Sequence, residues 1–174
     1  LAIFSSSFSQ TLFLEENFNF SGNLTDNGWT AHSGAGTNPI NTTTGLSYTG
    51  YPSSGIGNAA LLDNTGEDVY RSFTTQTSGT IYYSFLVNVE TIASGYFFHL
   101  AVNATTFAAR VFIQNSSGSV QFGLSNTATG NFGTTNFSTG TTYLCIVKYE
   151  VSTNGACSLW VFSSGVPVTE LAAG

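Results

Sequence analysis

The sequence predicts an all-β fold, a two-sheet antiparallel sandwich of jelly-roll type preceded by an extended N-terminal arm. Three observations carry that expectation. Strand-like segments recur with turn residues between them, and nothing longer than about ten residues repeats with the 3.6-residue period of a helix. Inside those segments apolar residues alternate with hydroxyl-bearing ones, the pattern of sheets that bury one face against each other. Charge is scarce: Arg71, Arg110 and Lys148 are the three Lys and Arg residues, and 7% of the chain is charged, against about 25% in an ordinary soluble domain. Ser, Thr, Asn and Gly therefore keep the surface wet, which is the composition of an extracellular β protein.

Residues 27–57 are rich in Gly, Ser, Thr, Asn and Pro and read as a long loop region, with Trp29, Ile40, Leu46, Tyr48, Tyr51 and Ile56 as its few apolar residues. Loops of that length in compact domains carry function or cover an edge. Residues 59–62 and 69–74 read as strands joined by Asn64-Thr65-Gly66-Glu67. Residues 80–89 give the clearest strand. Ile81, Tyr83, Phe85, Val87 and Val89 share one face and predict core, while Tyr82, Ser84, Leu86 and Asn88 share the other. Residues 96–102 and 107–114 form a predicted hairpin, followed by 120–124 after the turn Ser116-Ser117-Gly118. Residues 143–151 and 157–162 form another, with Asn154-Gly155 supplying the positive φ of a tight turn. About ten strands result, more than the seven to nine of an immunoglobulin sandwich.

At 174 residues one domain is expected, with chain enough for its own core. We place the arm at 1–16 and the sandwich at 17–174. A net charge of -6 and an isoelectric point near 4.4 argue against polyanionic partners, nucleic acid among them. No apolar run reaches the length of about 18 residues that a membrane span needs.

The first fourteen residues are apolar with a Ser-rich middle. Read one way, Leu1-Ala-Ile-Phe-Ser-Ser-Ser-Phe-Ser-Gln10 is the end of a secretory signal, with small residues before a cleavage point. Read another way, Ile3, Phe4, Phe8, Leu12 and Leu14 form an assembly arm that adds a strand to a neighbouring copy. The two readings are compatible. Cys145 and Cys157 are too few for a disulfide scaffold or a four-ligand zinc site. A two-residue turn at 154–155 would set Cys145 opposite Ser164 and Cys157 opposite Ser152, so the thiols would not face each other. Free buried thiols and a disulfide across a wider loop both stay open.

The runs Leu14-Glu-Glu-Asn-Phe-Asn-Phe20, Gly28-Trp-Thr-Ala-His-Ser-Gly34, Gly45-Leu-Ser-Tyr-Thr-Gly-Tyr51, Gly66-Glu-Asp-Val69 and Ser158-Leu-Trp-Val161 resemble those of the concanavalin A-like, or laminin G-like, β-sandwich modules of secreted bacterial surface proteins. Many such proteins leave the cell by the type IX route. The resemblance covers about residues 12–173 and implies a sandwich fold and a surface location; it transfers no catalytic motif.

The residues themselves supply no catalytic constellation either. A glycosidase needs two carboxylates about 5 to 10 Å apart, and the adjacent Glu15 and Glu16 would point to opposite faces of a strand. Gly-x-Ser-x-Gly is missing, and His32 and His99 read as a loop hydrogen-bonder and a packed strand residue. We expect no enzymatic activity. The densest acidic cluster is Asp63, Glu67 and Asp68. Oxygen ligands on a loop suit calcium, whereas the simpler alternative is a solvated turn with Glu67 or Asp68 paired to Arg71. No other cofactor is expected. Trp29, Tyr48 and Tyr51 are the candidates for stacking on a glycan, and the alternative is that these rings cap the open end of the sandwich. Trp160 reads as core or as an inter-subunit contact.

Two functions follow as expectations. The first is a secreted, cell-surface structural protein that self-assembles into an extracellular filament or matrix through strand addition by the arm, its partners being copies of itself. Scarce lysines on edge strands and few charges to hold copies apart favour it. The second is a glycan-binding or adhesion module of lectin type.

Overall fold

The computed structural model describes residues 10–152, 155–169 and 172. Among them are eleven strands, one 3-10 turn at Leu24–Asn27 and no α-helix. The strands are β1 (Thr30–Ser33), β2 (Asn41–Thr44), β3 (Asn58–Leu61), β4 (Asp68–Tyr70), β5 (Thr80–Asn88), β6 (Gly95–Ala101), β7 (Phe107–Ser116), β8 (Ser119–Ser125), β9 (Asn131–Phe132), β10 (Thr142–Glu150) and β11 (Cys157–Phe162). All pairings between them are antiparallel.

Two sheets form the body, one in the order β11-β10-β5 and the other β6-β7-β8-β9. The chain leaves β5, runs through the whole second sheet and returns as β10 to pair with β5 over nine residue pairs, from Thr142↔Asn88 to Glu150↔Thr80. Period-2 alternation decides what lies between the layers. Tyr143, Cys145 and Val147 of β10 are buried against Ala109, Val111, Ile113, Val120 and Phe122 of the second sheet, and Tyr83, Phe85 and Val87 of β5 pack on the same clusters. Each fully buried aliphatic chain there contributes roughly 1.5–3 kcal/mol. The Tyr83 hydroxyl sits among these apolar groups and donates across the layers to the Ala109 carbonyl at 2.6 Å. Burial pushes its pKa up, with the two thiols adding to the shift.

Three expectations about the connections are corrected. Residues 27–57 are not only loop, since they contain β1 and β2, which belong to separate two-stranded sheets, β1 with β4 and β2 with β3. Four-residue strands made of Thr, Ala, His, Ser and Asn carry too few apolar residues for an alternation to register. The segments 59–62 and 69–74 overlap β3 and β4, each of which starts one residue earlier, and β4 ends at Tyr70 rather than at 74; the two strands belong to different sheets. The connection between them is drawn onto residues 36–38 instead, where Asn38 Nδ2 donates to Asp63 Oδ2 at 2.6 Å and the Gly36 amide donates to Glu67 Oε2 at 2.9 Å.

The last hairpin is wider than a two-residue turn. Cys145 pairs with Val161 and Cys157 with Tyr149, three residues away from the expected partners, because β10 ends at Glu150 and β11 begins only at Cys157. The Glu150 amide donates to the Ala156 carbonyl at 2.9 Å and the Val151 amide to the Gly79 carbonyl at 2.8 Å. Gly155 is buried and does not have positive φ. A Cβ there would stand 1.7 Å from the Glu150 carbonyl oxygen, so close backbone approach is what requires glycine. Asn154 lies outside the described residues. The turn at 116–118 does follow the tight pattern, with φ of 53° at Ser117 and 86° at Gly118.

Two bulges shape the second sheet. The register runs Tyr96↔Phe112, Phe98↔Val111, Leu100↔Ala108, so Phe97 is extra on β6 and two residues of β7, Ala109 and Arg110, stand against His99. The first bulge lets both Phe97 and Phe98 pack inward. The second holds Ala109 at φ 46°, which costs a non-glycine residue roughly 1–2 kcal/mol. Hydrogen bonds offset that cost. Asn126 Oδ1 accepts from the Ala109 amide at 2.8 Å, while Asn126 Nδ2 donates to the Gly155 carbonyl at 2.8 Å. Replacing Asn126 by alanine should strand a buried amide and lower stability by about 1–3 kcal/mol, read as a shift of the urea midpoint at constant slope.

Candidate functional site

Of the expected arm, Ile3, Phe4 and Phe8 lie outside the described residues. Leu12 is 73% exposed and Leu14 38%. No backbone hydrogen bond ties residues 10–14 to another described residue. Attachment to the body begins with Phe13, which stacks on Phe73 at 6.0 Å. Ser53 Oγ donates to Glu15 Oε1 at 2.9 Å, and Glu16 accepts from the Phe18 amide at 2.7 Å and from Trp29 Nε1 at 3.2 Å. Residues 13–16, assigned to the arm by sequence, thus pack on the protein's own body.

The strands such a segment would meet are the ends of the three-stranded sheet. β5 pairs with β10 along one edge and ends the sheet on the other; β11 ends it at the far side. Neither strand contains a charged residue or a proline. The side chain of Trp160 in β11 is half-buried and donates from Nε1 to the Ala172 carbonyl at 3.1 Å.

The acidic cluster does not converge. Asp63 accepts from Asn38 and from the Thr65 amide and hydroxyl, and those bonds, the Thr65 amide foremost, hold its pKa below the usual carboxylate range. Glu67 is buried, with Oε1 unpartnered among the described residues. Asp68 accepts from Ser33 Oγ at 2.5 Å. Each carboxylate therefore turns to its own partners, Asp63 to Asn38 and Thr65, Glu67 to the Gly36 amide and Asp68 to Ser33, and no group of three or more His, Cys, Asp or Glu among the described residues is placed to hold a metal ion. Arg71 pairs with neither Glu67 nor Asp68 but with Glu16, 55 positions away.

The three candidate aromatic residues are likewise engaged separately. Trp29 is stacked on Phe18 at 5.8 Å with an 18° interplanar angle. Tyr48 is buried and its hydroxyl donates to the Gly165 carbonyl at 2.9 Å. The Tyr51 hydroxyl lies 2.8 Å from Ser84 Oγ on the outer face of β5. A shallow depression lined by Ser47, Tyr48, Thr49, Gly50, Tyr51 and Ser54 brings the two tyrosines together, without Trp29. Cys145 and Cys157 are both free thiols; burial pushes the Cys145 pKa up to about 12 and raises that of Cys157 as well.

Sequence reasoning missed a cluster on the outer face of β6 and β7, where the two bulges lie. Phe107 is its hub. The ring centroid of His99 lies 4.2 Å from that of Phe107, the ring of His32 5.7 Å, and Arg110 Cζ is 5.2 Å from the Phe107 centroid and 5.4 Å from that of Tyr96. Three of the five Lys, Arg and His residues of the chain thus surround one phenyl ring. His32 Nε2 donates to the Ala104 carbonyl at 2.8 Å, and His99 Nδ1 donates to the Leu100 carbonyl at 3.2 Å. Arg110 makes no ion pair or hydrogen bond to a described residue, and its Nε is buried without a partner. Burial lowers the His99 pKa. The signal available in the sequence was Tyr-Phe-Phe-His at 96–99, where four ring-bearing residues in a row cannot all keep strict alternation.

No helix among the described residues is long and apolar enough to cross a membrane. No family model, curated protein or solved structure matches this chain.

Proposed function

We propose that this chain is a non-enzymatic structural domain of an extracellular surface, which self-associates into a filament or matrix by strand addition. The observation that carries the reading is β5, nine residues long, uncharged, without proline and last in its sheet. Soluble proteins blunt such edges with lysine, proline or a covering element, because unpaired amides and carbonyls template pairing with another chain. The donor is the segment ending at Leu12, whose side chain is 73% exposed and which makes no backbone hydrogen bond over residues 10–12 to another described residue. At the edge itself neither β5 nor β11 carries a charged residue that would hold a second copy off. A secreted, cell-surface address and membership of the concanavalin A-like modules of bacterial surface proteins belong to the same proposal, resting on the composition and on the motif runs of residues 14–20, 28–34 and 45–51.

Light scattering and electron microscopy of the full chain test it. The full chain should form oligomers that grow with concentration, whereas deletion of residues 1–12 should leave monomers with an unchanged circular dichroism spectrum. Tyr82→Lys, a charge at an exposed position of β5, should weaken assembly without the deletion. A full chain that stays monomeric at millimolar concentration rejects the proposal.

A further inference from the structure

From the cluster around Phe107 we infer a second, separate property: the outer face of β6 and β7 is a binding site for a carboxylated sugar of the hexuronic acid class, with Arg110 taking the carboxylate and Tyr96 stacking on the ring. Arg110 is the centre of the argument. Its guanidinium lies over two aromatic rings and has no carboxylate partner among the described residues, although the chain contains nine Asp and Glu against three Lys and Arg. The other two cations are engaged, Arg71 with Glu16 and Lys148 over the Tyr82 ring. A guanidinium set against rings with no ion pair to a described residue presents the planar fork that binds a carboxylate in two parallel bonds.

The surroundings select among anions. The net charge of -6 repels a polyanion but tolerates a ligand with one carboxylate. Tyr96 is 46% exposed and its ring adjoins both Arg110 and His99, so the apolar face of a pyranose has a platform beside the cation. The bulges at Phe97 and at Ala109 with Arg110 set Tyr96, His99 and Arg110 on this face, a device that re-aims side chains at sites. The groups facing His99 are Arg110 from β7, His32 from β1 and Asp68 from β4; the first two disfavour its protonation and Asp68 favours it. Burial remains the main cause that lowers the His99 pKa; a carboxylate bound beside the ring opposes it, so binding favours the protonated ring and strengthens as pH falls.

The two histidines give resolvable C2 proton signals, which makes NMR titration of the full chain with sodium glucuronate the test. We expect saturable shifts of both histidine signals, an affinity for glucuronate at least about tenfold above that for glucose, and tightening by about threefold or more between about pH 7.5 and 5.5. Arg110→Gln should abolish the response. Tyr96→Ala, on an exposed ring, should weaken it about fivefold or more with the fold intact. Absence of a shift at millimolar glucuronate, or equal response to glucose, overturns the inference. A response to acetate as strong as that to glucuronate overturns the sugar assignment, since the site then takes a bare carboxylate such as one on another copy of the chain.

Discussion

Truncating Phe122 to alanine should remove about 3–5 kcal/mol of stability, the range for deleting a buried aromatic side chain. Phe122 is 4% exposed and stands on β8, where its ring meets the edges of Phe137 at 5.2 Å and Tyr143 at 6.1 Å. Tyr143 belongs to the opposite sheet and itself packs on Phe137 at 5.0 Å. The ring thus joins both layers, and the space it leaves cannot collapse, because Val120, Cys145 and Val89 around it are fixed by ladder hydrogen bonds or by burial. Against a total of about 5–15 kcal/mol for a native protein, this is a large fraction, and the melting temperature should fall by roughly 6–20 °C for a chain of this size. Phe122→Leu refills most of the volume and should recover most of the loss. Urea melts followed by circular dichroism measure both. A shift below about 1 kcal/mol for the alanine variant would mean that this ring does not lie between packed sheets.

Gly57→Ala should cost on the order of 2–4 kcal/mol, for two reasons that add. The residue has φ of +69°, where a Cβ costs roughly 1–2 kcal/mol by itself. A Cβ would also stand 1.8 Å from the Asn17 carbonyl oxygen, which accepts the Asn58 amide at 3.1 Å. Backbone must move, and what moves is the segment around Asn17 that carries Glu16 and Phe18 against Trp29 and Arg71. Gly140→Ala isolates the first reason, since Gly140 has φ of 68° with open space around it and should cost only about 1–2 kcal/mol. Limited proteolysis adds a readout specific to position: Gly57→Ala should expose residues 13–20 to cleavage, and Gly140→Ala should not. Equal stabilities of the two variants would show that the N-terminal segment does not pack on Gly57.

Much of the strand content could be read in the sequence because alternation is a local property. β5, β7, β8, β10 and β11 fall within a residue or two of the segments expected for them, and in each a side chain must face either core or solvent by its parity. Where alternation broke, reading broke too. Tyr96 and His99 are separated by two inward phenylalanines, a spacing that no strict period 2 allows, so His99 is the packed strand residue the sequence suggests while its neighbours Phe107 and Arg110 stayed hidden. β1 and β2 were missed because polar four-residue strands owe their form to partners supplied from elsewhere.

By itself the sequence determined the class of fold, the direction of each long strand's apolar face and the scarcity of charge, because composition and parity need no knowledge of distant neighbours. Tertiary structure alone decided which strands share a sheet, that Glu16 meets Arg71 across 55 positions, and that His32 reaches the Ala104 carbonyl across 72. Such pairings are chosen when two layers close over one core and every polar group near the rim must find a partner within about 3 Å. That Arg110 lies over Tyr96 and Phe107 with no ion pair to a described residue became visible only there, since a cation's surroundings are set by distant parts of the chain.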